Sequence, residues 1–215
     1  MFLSEKEYQR VLDLLDRKIC PHPLLQELTE WSEDRYHLKI HDYICDTNPG
    51  GQTRLKLVVW DYKQEEKLKE PPYYNYNKET QRAYAEKFGE LARKYNMHEA
   101  YHDPGKIFVC GDCIKDQIIS KGISSHKDEI EALKQGDIWK FFFEFGSITI
   151  FYETDALVEE HEKDGKSAMI WQQINDIVGK DDKYHVFSGG VSCYFSSKQT
   201  LDEKYQGSLF FYNRR

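Results

Sequence analysis

Residues 138–153 read IWKFFFEFGSITIFYE, two apolar runs on either side of Gly146-Ser147. Runs of four to eight residues rich in Ile, Phe, Tyr and Trp, bounded by turn residues, have the signature of β-strands. Two such runs separated by a two-residue turn form a hairpin. Strands are therefore expected over Ile138–Phe145 and Ile148–Glu153, the first apolar on nearly both faces and so a central, covered strand. The flanks have helical periodicity. Ser125 and Asp128 open a helix that Gly136 closes. Asp155–Val178 reads as helix with a break at Gly165, and its second half turns Ile170, Ile174, Ile177 and Val178 inward before Gly179.

The N-terminal half is similar. Ser4 and Glu7 form a capping-box pattern, followed by Tyr8, Val11, Leu12, Leu15 and Ile19 on one helical face. Cys20-Pro21-His22-Pro23 stops that helix, and Leu24, Leu25, Leu28 and Trp31 suggest a second, giving an N-terminal helical segment over 1–35. Tyr36, Leu38 and Ile40 then alternate with His37, Lys39 and His41, and Leu55, Leu57 and Val59 alternate with Arg54 and Lys56. With the turn-rich Asp46–Gly51 between them, these predict a second hairpin. His37 and His41 fall about 13 Å apart along one polar strand face, too far for a shared metal, and read as surface residues.

Residues 63–77 form a long charged loop. Asn77 caps a helix whose stripe is Tyr84, Phe88, Leu91 and Tyr95. Ile107–Val109 is a short strand, Cys113–Lys121 a turn or two of helix, and Tyr184–Phe195 and Ser208–Tyr212 closing strands. No internal repeat is seen. Strands arranged in hairpins predict an α+β fold: one domain, 1–215, with a mainly antiparallel sheet and helices packed on it.

Composition narrows the function classes. Twelve Phe, fifteen Tyr and four Trp can build a dense core. The net charge of −7, with no Lys/Arg cluster interleaved with aromatics, argues against a nucleic-acid partner. No stretch approaches the length of apolar sequence that spans a membrane. The opening MFLSEKEYQR lacks the basic and apolar regions of a signal peptide, so a cytoplasmic location is expected, and the five cysteines read as free thiols or metal ligands rather than a disulfide framework.

Two short motifs suggest chemistry. His98-Glu99-Ala100-Tyr101-His102 has the His-Glu-x-x-His spacing. On a helix it would set two imidazoles one turn apart as zinc ligands, with Glu99 as general base. The stripe Tyr84, Phe88, Leu91, Tyr95 continues in steps of three and four to His98 and His102, which would turn both inward if the helix persists. Asn96 is a natural helix stop. The segment resembles the start of the metzincin pattern, with Gly105 three residues after His102, but the third ligand position falls on Phe108. Gluzincin-like peptidases take a downstream Glu beside an Ala, a part that resemblance would give to Glu131 of Glu131-Ala132.

Cys110-Gly111-Asp112-Cys113 resembles locally the thioredoxin redox pair, although that fold's later cis-proline has no counterpart, since no proline follows Pro104. Alternatively His98, His102, Cys110 and Cys113 could form a structural zinc site. Beside these stand the plain readings: a helix end with two histidines, and two buried thiols.

The third feature is acidic. Glu153, Asp155, Glu159, Glu160, Glu162 and Asp164 lie within twelve residues against Lys163 alone. Such a ridge suits a basic protein partner. Small, acidic, aromatic-rich inhibitors and immunity proteins share this composition. The leading expectation is a non-enzymatic cytosolic binding protein of that kind, needing no cofactor. The alternative is a zinc-dependent hydrolase using His98, His102, Glu131 and Glu99, or a protein with a structural zinc site.

Overall fold

The computed structural model describes residues 2–47 and 52–214; the Asn48–Gly51 part of the first turn lies outside them. By its internal packing the chain divides into two compact units, Met1–Lys115 and Asp116–Arg215. The 63–77 segment falls inside the first unit.

In the first unit, α1 (Glu5–Leu15) begins with the expected capping box: the Ser4 side chain accepts from Glu7 N, and the Glu7 carboxylate accepts from Ser4 N at 2.8 Å. α2 (Pro23–Tyr36) buries Leu24, Leu25, Leu28 and Ser32 and ends where His37 adopts a left-handed conformation, φ 52°. That C-cap corrects the expected strand at Tyr36–Ile40. β1 (Asp42–Thr47) starts later and pairs antiparallel with β2 (Thr53–Val59).

The 63–77 segment is also more ordered than a loop. It holds α3 (Tyr62–Glu65), a 3-10 turn, and a two-residue ladder of β3 (Lys69–Glu70) with β4 (Asn75–Tyr76). α4 (Lys78–Lys94), capped by Asn77, returns the chain to β5 (Ile107–Cys113), which pairs parallel with β2. The core packs Leu24, Leu28, Leu55, Leu57, Tyr84, Phe88, Leu91 and Val109 between α2, α4 and the sheet. Each such side chain contributes roughly 1.5–3 kcal/mol on burial.

α5 (Ile114–Ser125) begins at the division between units, and α6 (Lys127–Glu131) follows. The hairpin forms, β6 (Ile138–Glu144) pairing antiparallel with β7 (Ser147–Tyr152), but the expectation of a central, covered first strand is corrected: β6 is the edge strand and mostly half-buried, and β7, flanked on both sides, is the central buried one. α7 (Asp155–Lys163) and α8 (Lys166–Val178), hinged at Gly165 (φ 83°), lead to β8 (Ser192–Ser197), parallel to β7. Ile138, Phe141, Ile148, Ile150, Ile170 and Ile174 form this unit's core.

The expected strand at Tyr184–Phe195 therefore shrinks to its end and extends to Ser197. The reason is local. Asp182 accepts from Val186 N and Phe187 N, both at 2.8 Å, and curls 182–190 into turns. Gly190 (φ 82°) lets the chain pass Trp171, whose Cζ2 would lie 2.4 Å from a Cβ there. Ser208–Tyr212 is not a strand either. After α9 (Lys198–Tyr205), Ser208 caps Phe211 N and starts the one-turn α10 (Leu209–Tyr212).

The mainly antiparallel sheet is thus found in part: β3–β4 is antiparallel, and the two three-stranded sheets are mixed. Each unit adds a parallel third strand to an antiparallel hairpin, because a helical crossover precedes β5 and β8. Among the described residues no helix is long and apolar enough to cross a membrane.

Candidate protein-binding surface

The His98–His102 segment is not helical in the way a zinc-peptidase motif needs. α4 ends at Lys94, Tyr95 caps it, and Asn96 turns left-handed at φ 52°. His98 is exposed and extended, and caps a 3-10 turn over Glu99–Tyr101 by accepting from Ala100 N at 3.2 Å. His102 closes that turn half-buried, its carbonyl held by Arg93 at 2.5 Å. One imidazole thus serves as a cap in solvent while the other sits in a different environment. Glu99 is exposed. Glu131 belongs to the other unit, where it is exposed and 3.7 Å from Lys127. Among the described residues no three His, Cys, Asp or Glu side chains converge as a metal site would require.

Cys110 and Cys113 both lie on β5. Three residues apart on a strand, they point to opposite faces. Cys113 faces the first unit's core, its Sγ 3.7 Å from Glu65 Oε2. Burial, then the nearby Asp112, pushes the Cys110 thiol up to about 11. A redox pair needs the reverse, a thiol lowered by a helix N-terminus.

The acidic stretch resolves into two sets. Thr154 caps α7, and Leu157, Val158 and His161 turn inward, which follows from their i, i+1, i+4 spacing. Asp155 accepts from Ser197 Oγ and, at 2.8 Å, from Thr200 Oγ1, tying α7 to the β8–α9 junction. Those two hydroxyls hold the Asp155 carboxyl below its ordinary value.

His161, 4% exposed, is the inner pin. Its Nδ1 lies 3.1 Å from Asp164 Oδ2, its Nε2 3.0 Å from Asp137 Oδ2, and its ring packs edge-on to Tyr152. Lys166 Nζ donates to Asp137 at 2.9 Å, and the Lys166 backbone N–H to Asp164 at 2.8 Å. Both carboxyls are held low, Asp137 first by the Lys166 ammonium and Asp164 first by the Lys166 backbone. The sequence reading missed this cluster; its signal was a lone histidine three residues before an aspartate inside an acidic run.

Glu153, Glu159, Glu160 and Glu162 remain exposed. Glu159 reaches Lys163 at 3.6 Å with both side chains about three-quarters in solvent, a weak pairing. The six-residue ridge is thus four outward glutamates on and beside a helix that Asp155 and Asp164 help to hold. The imbalance is regional. The second unit has 12 Lys and Arg against 17 Asp and Glu, net −5, whereas the first has 18 against 20, net −2.

Comparison with protein-family models, curated proteins and solved structures finds no match to this chain.

Proposed function

We propose that this chain is a non-enzymatic binding protein of inhibitor or immunity type, and that α7 presents its outward glutamates to a basic protein partner. The observation carrying this reading is the division of labour on α7. Its inner face is fixed by His161 and Asp155, so Glu159, Glu160 and Glu162 project from a positioned helix rather than a loose tail. Uncompensated like charge on a fixed element raises the encounter rate with a basic surface and orients it. The concentration of negative charge in the same unit adds to that field. The five cysteines, all among the described residues, form no disulfide, which suits a reducing compartment such as the cytoplasm.

The test is affinity capture at low ionic strength, with the wild-type chain and a Glu159→Lys/Glu160→Lys/Glu162→Lys variant as baits. A basic protein retained by the wild type, lost in the variant and released by salt is the expected outcome. Equal recovery by both baits contradicts the reading.

A further inference from the structure

The first unit contains a cleft of about 380 Å³ between the end of α1, the turn after it, α2 and the segment leading into β1. That volume lies within the range of small-molecule sites, roughly 300–1,000 Å³. Its floor is apolar, with Leu14 and the buried Leu25 and Ile40. Its rim carries Arg17, Lys39, His41 and a single acid, Glu30.

The charges at this rim are unbalanced for a structural reason. Two acids at the end of α1, Asp13 and Asp16, are taken by Lys18, at 3.5 and 3.1 Å. Arg17 and Lys39 make no ion pair or side-chain hydrogen bond among the described residues, and neither does Glu30. Arg17 also has a left-handed backbone, φ 58°, uncommon for a residue with a side chain. His41 is mostly buried, its ring 6.0 Å from that of Trp60. Burial, then Lys39, lowers its pKa to about 4, so near neutral pH it offers a neutral imidazole. The rim therefore combines two cations and one acid, none of them in an ion pair, with a neutral hydrogen-bonding ring above an aliphatic floor, leaving a net positive charge.

We infer that this cleft binds a small amphipathic carboxylate, with the carboxylate held by Arg17 and Lys39 and the apolar tail lying on Leu14, Leu25 and Ile40. A planar guanidinium suits a carboxylate, and the ammonium adds a point charge. A cationic amphiphile would meet Arg17 and Lys39 as like charges against the single carboxylate of Glu30. A neutral one would keep the floor contacts and lose the charged pairing.

The experiment is titration calorimetry of the full chain at pH 7 with three probes of one chain length: octanoate, octan-1-ol and octylammonium. Saturable octanoate binding is expected, at least tenfold tighter than octan-1-ol, with no measurable binding of octylammonium. An Arg17→Gln/Lys39→Gln variant, with an unchanged circular dichroism melt, is expected to lose at least tenfold in octanoate affinity and little in octan-1-ol affinity. Octanoate binding no tighter than octan-1-ol overturns the carboxylate assignment. Undiminished octanoate affinity in a folded variant overturns the roles of Arg17 and Lys39, and no binding of any probe overturns the site. Should the double variant not fold, each single Gln variant is expected to show part of the same loss; neither showing any overturns the assignment.

Discussion

The two units run through the same series of elements and differ in what they do with charge. Each has two helices, an antiparallel hairpin, a helical crossover and a third strand parallel to the hairpin's second strand. In both, the crossover helix is capped two residues beyond the strand, by Asp61 and by Thr154. The first unit turns many of its ionisable groups onto itself. Arg10 grips the buried Asp42 through two nitrogens at 2.5 and 2.7 Å. Glu65 accepts from Tyr76 at 2.7 Å and pairs with Lys69 at 2.9 Å, all three well shielded. The second unit fixes the inner face of α7 in a comparable way and leaves an unbalanced acidic face outside. Apolar periodicity and crossovers set the common topology, and the faces the fold does not use are where the units diverge.

The largest effects are expected where the units are alike. Phe88 and Ile174 are fully buried, one in each core. Phe88→Ala is expected to cost about 3–5 kcal/mol and Ile174→Ala about 2–5 kcal/mol in urea unfolding of the full chain. Losses under 1 kcal/mol would mean that these are not the cores.

A smaller effect separates the units. A Cβ at Gly111 would fall 2.6 Å from Glu65 Cγ, inside the network that the second unit does not share. Gly111→Ala is expected to cost about 1–3 kcal/mol by displacing Glu65 from Tyr76 and Lys69. A variant as stable as the parent would show that the network is dispensable.

Acid sharpens the contrast from the other side. Asp137, Asp155 and Asp164 are held below their ordinary values. A carboxyl depressed in the folded state adds stability that is present above its unfolded pKa, about 3.9, and lost as pH falls through the folded value. Stability is therefore expected to drop below about pH 4. An Asp137→Asn/Asp155→Asn/Asp164→Asn variant should show a shallower drop in denaturant titrations across that window. An equally steep acid limb would place the acid-labile groups elsewhere.

The least perturbing test concerns the thiols. Cys20 is exposed and the other four cysteines are partly buried. Burial pushes Cys45 and Cys193 up to about 12, and Cys110 to about 11. One fast and four slow thiols are expected with an aromatic disulfide reagent on the native chain. A second fast thiol at Cys110 would revive a redox role.

Local signals were legible in the sequence. The Ser4/Glu7 box, the Asn77 cap, the stripe Tyr84, Phe88, Leu91 and the pairing of the two runs within 138–152 all appear, because neighbouring residues specify them, whereas which of the two strands lies at the sheet's centre depends on β8 and was misread. Pairings set at long range were not. Nothing in the 107–113 or 192–197 stretches states that they pair parallel, since the crossovers decide it. Tyr36, Leu38 and Ile40 alternate as a strand would, yet α2 runs to Tyr36 and the left-handed His37 redirects the chain. His41 read as a surface residue because the reading set it on the polar face of a strand that does not form there. Of the acidic run, the composition was visible but not its partition. Which carboxylates turn inward depends on Ser197, Thr200, Asp137 and Lys166, outside the run or beyond its end.

On the proposed reading the outward charge of α7, rather than acidity in general, holds the partner. The direct measurement uses matched charge swaps in one capture experiment. Glu159→Lys/Glu160→Lys/Glu162→Lys on α7 is compared with Glu79→Lys/Glu86→Lys/Glu90→Lys on the exposed face of α4 in the first unit. Both change the net charge equally. Loss of the basic partner with the α7 swap and its retention with the α4 swap is the predicted result. Equal loss with both, or retention with both, would contradict it.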